Sequence, residues 1–349
     1  MCGKIKIATG ILVTMLCIGV KAQDAQFSQY YSSALYLNPA LAGAEPDITF
    51  SSNYRQQWRS VPGVQSYTTN QVSLIVPYYV PKVKDSHKGG VGFSFFNDRA
   101  GDGNLKSLGV NLTGAYNIAL SRNGLHYLSF GLQGGFMQKS IDYANVRWGS
   151  QYNPSIGYDA TALVDEPNFV TTRLYPDINS GLIYYYNAAK NYHYTDLSAY
   201  AGVAAYHMNQ PNESFVRGAT SRLPMLLKAH AGFEYNASSK VNISPNAIFF
   251  YQNTRYQVNT GFYVSYILLQ SNNGVVNNTS LILGAWYRLQ DSFIFSAGIS
   301  GSFYTLACSF DLNTSSLNSY SKGRGAYEVS LTLRRNTKNR IKRFSTPRI

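Results

Sequence analysis

The sequence predicts an all-β fold: a transmembrane antiparallel β-barrel of about 14 strands with both termini periplasmic. Three observations lead there. The chain carries 29 Tyr, 18 Phe and 29 Gly but only 13% charged residues. Its mean hydropathy is −0.19, and no stretch after residue 22 approaches the ~20 apolar residues that a spanning helix needs. Apolar residues instead alternate with small polar ones over many separate segments, which is how barrel strands hide their apolarity.

Residues 1–22 read as an export signal. Lys4 and Lys6 give a positive start, Ile7 to Val20 a short apolar run, and Val20-Lys21-Ala22 precedes a cut at Gln23. Thr14-Met15-Leu16 lacks the small residue expected before a lipidated cysteine, so Cys17 is read as part of the signal. That leaves Cys308 in the exported chain, without a disulfide partner, as a small apolar side chain on a strand face. The net charge of +13 loses three cations with Lys4, Lys6 and Lys21. On an exported protein such an excess fits lipid phosphates, anionic polysaccharide or acidic proteins better than nucleic acid. It gathers in a basic periplasmic tail, 334–349, which holds Arg334, Arg335, Lys338, Arg340, Lys342, Arg343 and Arg348.

The barrel itself is expected over 47–333, after a periplasmic or luminal segment 23–46. Alternation is plain in "LGVNLTGAYNIAL", where Leu108, Val110, Leu112, Tyr116, Ile118 and Leu120 share one parity and Asn111, Thr113, Ala115 and Asn117 the other. The first set suits lipid and the second a lumen. Similar segments begin near Asp47, Tyr67, Gly89, Leu105, Leu125, Asp177, Leu197, Met225, Lys240, Tyr256, Ser280, Ser292, Tyr304 and Ala326. "SRNG" (121–124) and "NASS" (236–239) are short polar joints on the periplasmic side. Parity then puts the long stretch Lys139–Pro176 outside. The joints at 78–88 and 271–279 are longer than a periplasmic turn usually is, so 12 or 16 strands stay open.

Catalytic and metal motifs are missing. His87, His126, His193, His207 and His230 lie far apart in sequence. A barrel lipase would have to bring His126 or His207 to Ser129 or Ser198. "DRAGDGN" (98–104) fails as a calcium loop at Ala100 and Gly109 and reads as a turn. No phosphate loop, zinc spacing or dinucleotide fingerprint is present, so no cofactor is called.

Several stretches together are similar to the PorP/SprF-like outer-membrane proteins of type IX secretion in Bacteroidetes. They are "QDAQFSQYYSSALYLNPALAG" (23–43), "YRQQW" (54–58), "FFNDRAG" (95–101), "YPDINSGLIYYY" (175–186), "GAWYR" (284–288), "FDLNTSSL" (310–317) and "GAYEVSL" (325–331), in order along the chain. Where many relatives carry a cysteine before Pro-Arg near the end, this chain has "FSTPRI". The resemblance implies a barrel without catalysis, working with other type IX components in export or anchoring of a large surface protein. Such a protein, a gliding adhesin for example, would be held through its C-terminal domain. A diffusion porin or apolar-solute channel is the alternative, and an outer-membrane lipase or acyltransferase the third reading.

Two groups of side chains follow from this reading. In "YRQQW", Tyr54 and Trp58 share parity and are expected in the outer interfacial girdle, with Arg55 turned to the lumen or loops. In the long outer loop, Trp148, Tyr152 and Tyr158 are the candidate partner-binding aromatics.

Overall fold

The computed structural model describes residues 24–44, 46–63, 65–79, 87–101, 103–121, 125–143, 146, 148–162, 169–187, 197–268, 279–316 and 318–335. The expected export signal, and Lys338, Arg340, Lys342, Arg343 and Arg348 of the tail, lie outside these residues. In chain order the strands are β1 (Ile48–Gln57), β2 (Tyr67–Tyr79), β3 (His87–Ala100), β4 (Leu105–Ala119), β5 (His126–Ser140), β6 (Tyr152–Asn153), β7 (Gly157–Tyr158) and β8 (Thr172–Asn187). They continue as β9 (Leu197–Tyr206), β10 (Leu226–Asn236), β11 (Val241–Gln252), β12 (Arg255–Ile267), β13 (Ser280–Arg288), β14 (Ser292–Ser300), β15 (Tyr304–Asn313) and β16 (Arg324–Arg335). All but β6 and β7 form one closed barrel of 14 antiparallel strands, and β6 pairs with β7 in the loop after β5.

Period two decides which side chains face out. On β4, Leu108, Val110, Leu112, Tyr116 and Ile118 are exposed, Leu112 most at 64%, while Thr113 and Asn117 are buried. The outer wall is therefore apolar and the inner wall polar, the arrangement a bilayer requires. Between β11 and β12 the chain reverses in two residues, Asn253 (φ 45) and Thr254 (φ 68). Positive φ at both is the twist that tight hairpins favour. Because the strand number is even, Ile48 and its partner Arg335 lie on the same rim. We call this the terminal rim, and the opposite one, which carries the stretches 141–171 and 207–225, the loop rim.

Two expectations need correction. The β5–β8 crossover is shorter than Lys139–Pro176, since Lys139 pairs with Arg173 and Phe136 with Pro176 inside the barrel sheet. Pro176 marks a break in sequence because it lacks an N–H. Here that costs nothing, because β9 pairs with β8 only from Ser180. The edge beside Pro176 is covered by the 207–225 stretch, with Asn209 Nδ2 donating to Pro176 O and Met208 N to Ile178 O. Trp58 also departs from parity. The strand ends at Gln57, Trp58 takes φ 55, and its ring lies 4.6 Å from Tyr67 at the lumen mouth.

Candidate functional site

The lumen is occupied by the N-terminal segment 24–44 of the chain itself. From Asp24 near the loop rim the segment descends to the terminal rim and enters β1 there. Phe27, Tyr30, Leu35, Leu37 and Leu41 are each at most 3% exposed. A short helix, Ala34–Leu37, is followed by a 3-10 turn, Pro39–Gly43, whose cap Asn38 accepts from Ala40 N. Pro39 fits the first turn because its missing N–H would have no partner there.

Side chains of the barrel wall satisfy the carbonyls this compact segment leaves open. Tyr206 OH donates to Leu35 O (3.0 Å), Ser129 Oγ to Ala40 O (2.9 Å) and Asn117 Nδ2 to Gly43 O (2.6 Å). Asn38 Nδ2 donates in turn to Leu182 O and Val203 O of the wall. The close approach depends on two facing glycines, Gly131 of β5 and Gly181 of β8. A Cβ on the first would meet the Pro39–Ala40 backbone, and one on the second the Asn38 side chain. Inward glycines in "GLQGG" and "INSGL" are the sequence signal for this seat.

Above it lies a buried charge cluster. Arg55 is 1% exposed and donates to Asp311 Oδ2 (2.8 Å), to Glu328 Oε2 (3.3 Å) and to Ser28 Oγ. Arg288 donates to Asp311 at 3.2 Å, to Asp291 at 3.0 Å and to Ser28 Oγ at 3.0 Å. Glu328 accepts from the backbone of Ser28 (2.6 Å) and Gln29 (3.1 Å). The arginine of "YRQQW" thus points inward and ties the N-terminal segment to β1, β15 and β16. Tyr54 beside it faces outward, 46% exposed.

Toward the loop rim the lumen opens as a cavity of about 680 Å³, bounded below by the N-terminal segment. His207, just past β9, sits between two carboxylates, with Nδ1 2.7 Å from Asp177 and Nε2 2.9 Å from Asp24. Burial alone would lower its pKa, but the Asp24 charge and the bonds to Asp177 and Asp24 push it up to about 10. Burial likewise opposes the charge of Asp24, yet His207 holds that carboxyl below its usual range. Neither histidine weighed for a lipase meets its serine. His126 Nδ1 pairs with Tyr184 OH at 2.6 Å, and Ser129 is committed to Ala40.

The rim itself is folded. Tyr143, Trp148 and Phe169 pack with ring centroids 5.3–5.5 Å apart. Lys139 pairs with Glu213, joining the wall to the 207–225 stretch. Trp148 therefore lies in a small loop core, whereas Tyr152 and Tyr158, opposite each other on β6 and β7, are 63% and 41% exposed. At the terminal rim Arg334 donates to Thr305 Oγ1 at 2.9 Å and Arg335 is exposed.

The model of one protein family, the type IX secretion system membrane protein PorP/SprF, matches residues 19–333. This chain belongs to the PorP/SprF family. It is a PorP/SprF membrane barrel of the outer-membrane type, in a family of type IX secretion. No curated protein matches the chain. Solved barrels similar to this PorP/SprF protein include the Ralstonia pickettii toluene transporter TbuX. It is 10% identical, with 86% of this chain and 93% of that one covered, at a TM-score of 0.48. A Pseudomonas aeruginosa FadL homologue is 11% identical with 86% and 93% covered, TM-score 0.46. The CymD monoaromatic hydrocarbon channel is 11% identical with 91% and 96% covered, TM-score 0.45.

Proposed function

We infer that this protein is a non-enzymatic docking barrel of type IX secretion. Its loop rim faces outward and binds the C-terminal domain of a large surface protein, such as an adhesin, helping to export or anchor it. The observation that carries this reading is the division of the molecule. Below its cavity the lumen is plugged by the N-terminal segment, which disfavours a diffusion porin or solute channel, while the loop rim displays Tyr152 and Tyr158 on a hairpin with its own packed base. Aromatic side chains on a rigid scaffold are the usual anchors of a protein interface. The terminal rim is then periplasmic, where Arg334, Arg335 and the basic residues after them meet an acidic component of the apparatus or lipid phosphates.

Affinity purification of the tagged barrel from its native membranes tests this. The intact protein is expected to recover a surface protein, and Tyr152→Ala/Tyr158→Ala to lose most of it with the barrel still folded. Trp148→Ala would act by loosening the loop instead. Full recovery by the double variant, together with ohmic conductance of the purified wild-type barrel, would overturn the reading in favour of a channel.

A further inference from the structure

The outer wall differs from one side of the loop rim to the other. Over β11–β16 it carries the aromatic girdle that a membrane interface favours. Tyr251 is the register partner of Tyr256 there. The ring centroids of Tyr287 and Phe293 lie 4.7 Å apart, and those of Phe310 and Tyr327 5.2 Å. Over β2–β5 the outward side chains at the same end are of another kind. Thr68 pairs in register with Arg99, Arg99 with Lys106, and Lys106 with Ser140. A hydroxyl, a guanidinium, an ammonium and a second hydroxyl thus stand side by side across four strands, with Arg99 and Lys106 both exposed. The next outward row toward the middle is Asn70, Asn97, Leu108 and Gln138, and the one after it Val72, Phe95, Val110 and Phe136.

In this sector the wall grades from hydrocarbon through amides to cations along each strand. Lys106 is six residues from Leu112 on β4. At ~3.4 Å per residue and a tilt of ~40° it stands roughly 15 Å nearer the loop rim. The apolar band reaches only ~12 Å from its middle, so the cations lie at headgroup level. Like charges directly opposite on neighbouring strands repel. No carboxylate offsets these two: among the described residues neither is in an ion pair, with Asp142 just beyond Ser140 or with any other acid. Arg99 is nevertheless held in place, because its Nη2 donates to Gln65 Oε1 of the β1–β2 connection at 2.7 Å. Its other N–H groups and the ammonium of Lys106 are left as donors, flanked by hydroxyls that donate as well. Two adjacent cations suit a dianion better than a single charge. A phosphomonoester brings nearly two negative charges and three acceptor oxygens, and a guanidinium can grip it with two parallel bonds.

We propose that the β2–β5 sector of the outer wall binds the phosphomonoester headgroup of a membrane lipid. Arg99 and Lys106 share the phosphate, and Thr68 and Ser140 donate from either side. The acyl chains lie on Val72, Phe95, Val110 and Phe136 beneath, the last 60% exposed. A soluble phosphate would leave that apolar wall unused, so the ligand is a lipid. Its charge cancels the repulsion between β3 and β4 and fastens the two strands together at the mouth of the lumen. With the loop rim outward, as proposed above, the lipid belongs to the outer leaflet. The site itself depends neither on that orientation nor on what docks at the rim.

The full chain, purified in an amine-oxide detergent, is titrated with phosphatidic acid, phosphatidylglycerol or phosphatidylcholine, and native mass spectrometry gives the affinity of the first lipid bound. These are a phosphomonoester, a phosphodiester of single charge and a zwitterion. Phosphatidic acid is expected to bind more tightly than the other two. Arg99→Gln/Lys106→Gln should weaken it about tenfold, the worth of two cations beside an anionic group at ordinary salt. Arg217→Gln/Arg222→Gln takes the same charge from the loop rim outside the sector and should change nothing. Heat-modifiable gel mobility establishes that each variant has folded, and the lipid preference of the wild type is decisive without any variant. Glycerol 3-phosphate, which has the phosphate without acyl chains, should not compete. Equal affinity for the three lipids, an unchanged affinity in the folded Arg99/Lys106 variant, or equal losses in both double variants overturns the proposal. Competition by glycerol 3-phosphate overturns it too, in favour of a site for soluble phosphate.

Discussion

Arg55→Met tests the anchoring of the N-terminal segment most directly. The substitution keeps the apolar stem and removes the guanidinium that meets Asp311, Glu328 and Ser28. Asp311 keeps Arg288, at 3.2 Å, so its charge stays paired. Glu328 loses the cation it faces and keeps only Ser28 N, Gln29 N and Asn53 Nδ2. Breaking a buried pair costs about 3–5 kcal/mol, and these remaining donors put the expected loss near the lower end. Arg55→Met/Glu328→Gln removes both charges, so it should cost less than the sum of the two single changes, with a coupling of about 1–3 kcal/mol. Urea titration of the protein folded into lipid vesicles gives these differences, and planar-bilayer recording shows whether the lumen opens as the anchor weakens. A loss under ~1 kcal/mol for Arg55→Met, or strict additivity of the singles, would refute the reasoning.

Other expectations follow from the walls of the same lumen. Leu112→Arg, at the middle of the outer face of β4, should cost about 2–4 kcal/mol in the vesicle titration, and Asn111→Arg, on the inner face, much less; equal losses would reverse the assigned faces. Gly181→Val drives a side chain into Asn38 and should destabilise the barrel by about 1–3 kcal/mol while raising its conductance. The folded pKa of His207, about 10, lies above its ordinary 6.5. Its stabilisation is therefore complete below 6.5 and lost as pH rises through about 10, whereas that of Asp24 is lost in acid. Hydrogen-exchange protection over Phe27–Tyr31, taken relative to the intrinsic base-catalysed rate at each pH, should fall across the alkaline window in the wild type, and be low and flat with pH in His207→Ala.

Much of the barrel is legible in the sequence because alternation is local: each strand shows its two faces within its own residues. Most expected strand starts lie within two residues of the observed ones, from Tyr67 and Leu105 to Ser292 and Tyr304. The start of β8 at Thr172 escaped because Pro176 reads as a break unless the edge beside it is known to be unpaired by another strand. Trp58 escaped because a single positive φ turns it out of register. The interior was far less legible. Arg55 is separated from Asp311 and Glu328 by most of the chain and meets them only after closure. The role of 207–225 in covering β8 depends likewise on contacts between distant segments.

The buried cluster also bears on the order in which the molecule is assembled. Arg55 and Glu328 are direct cross-strand neighbours where the first and last barrel strands zip together, and Ser28, 300 residues from Glu328 in the chain, is bonded beneath them. A contact so distant in sequence carries a high entropic cost and forms late. The N-terminal segment must therefore wait inside a half-made cylinder for β16, the last strand of the barrel. Closing the wall and fastening its contents are then a single event. A nascent chain that stops short of Arg324 would lack the means for either, and would present both an open sheet edge and an unmoored N-terminal segment to whatever machinery inserts it.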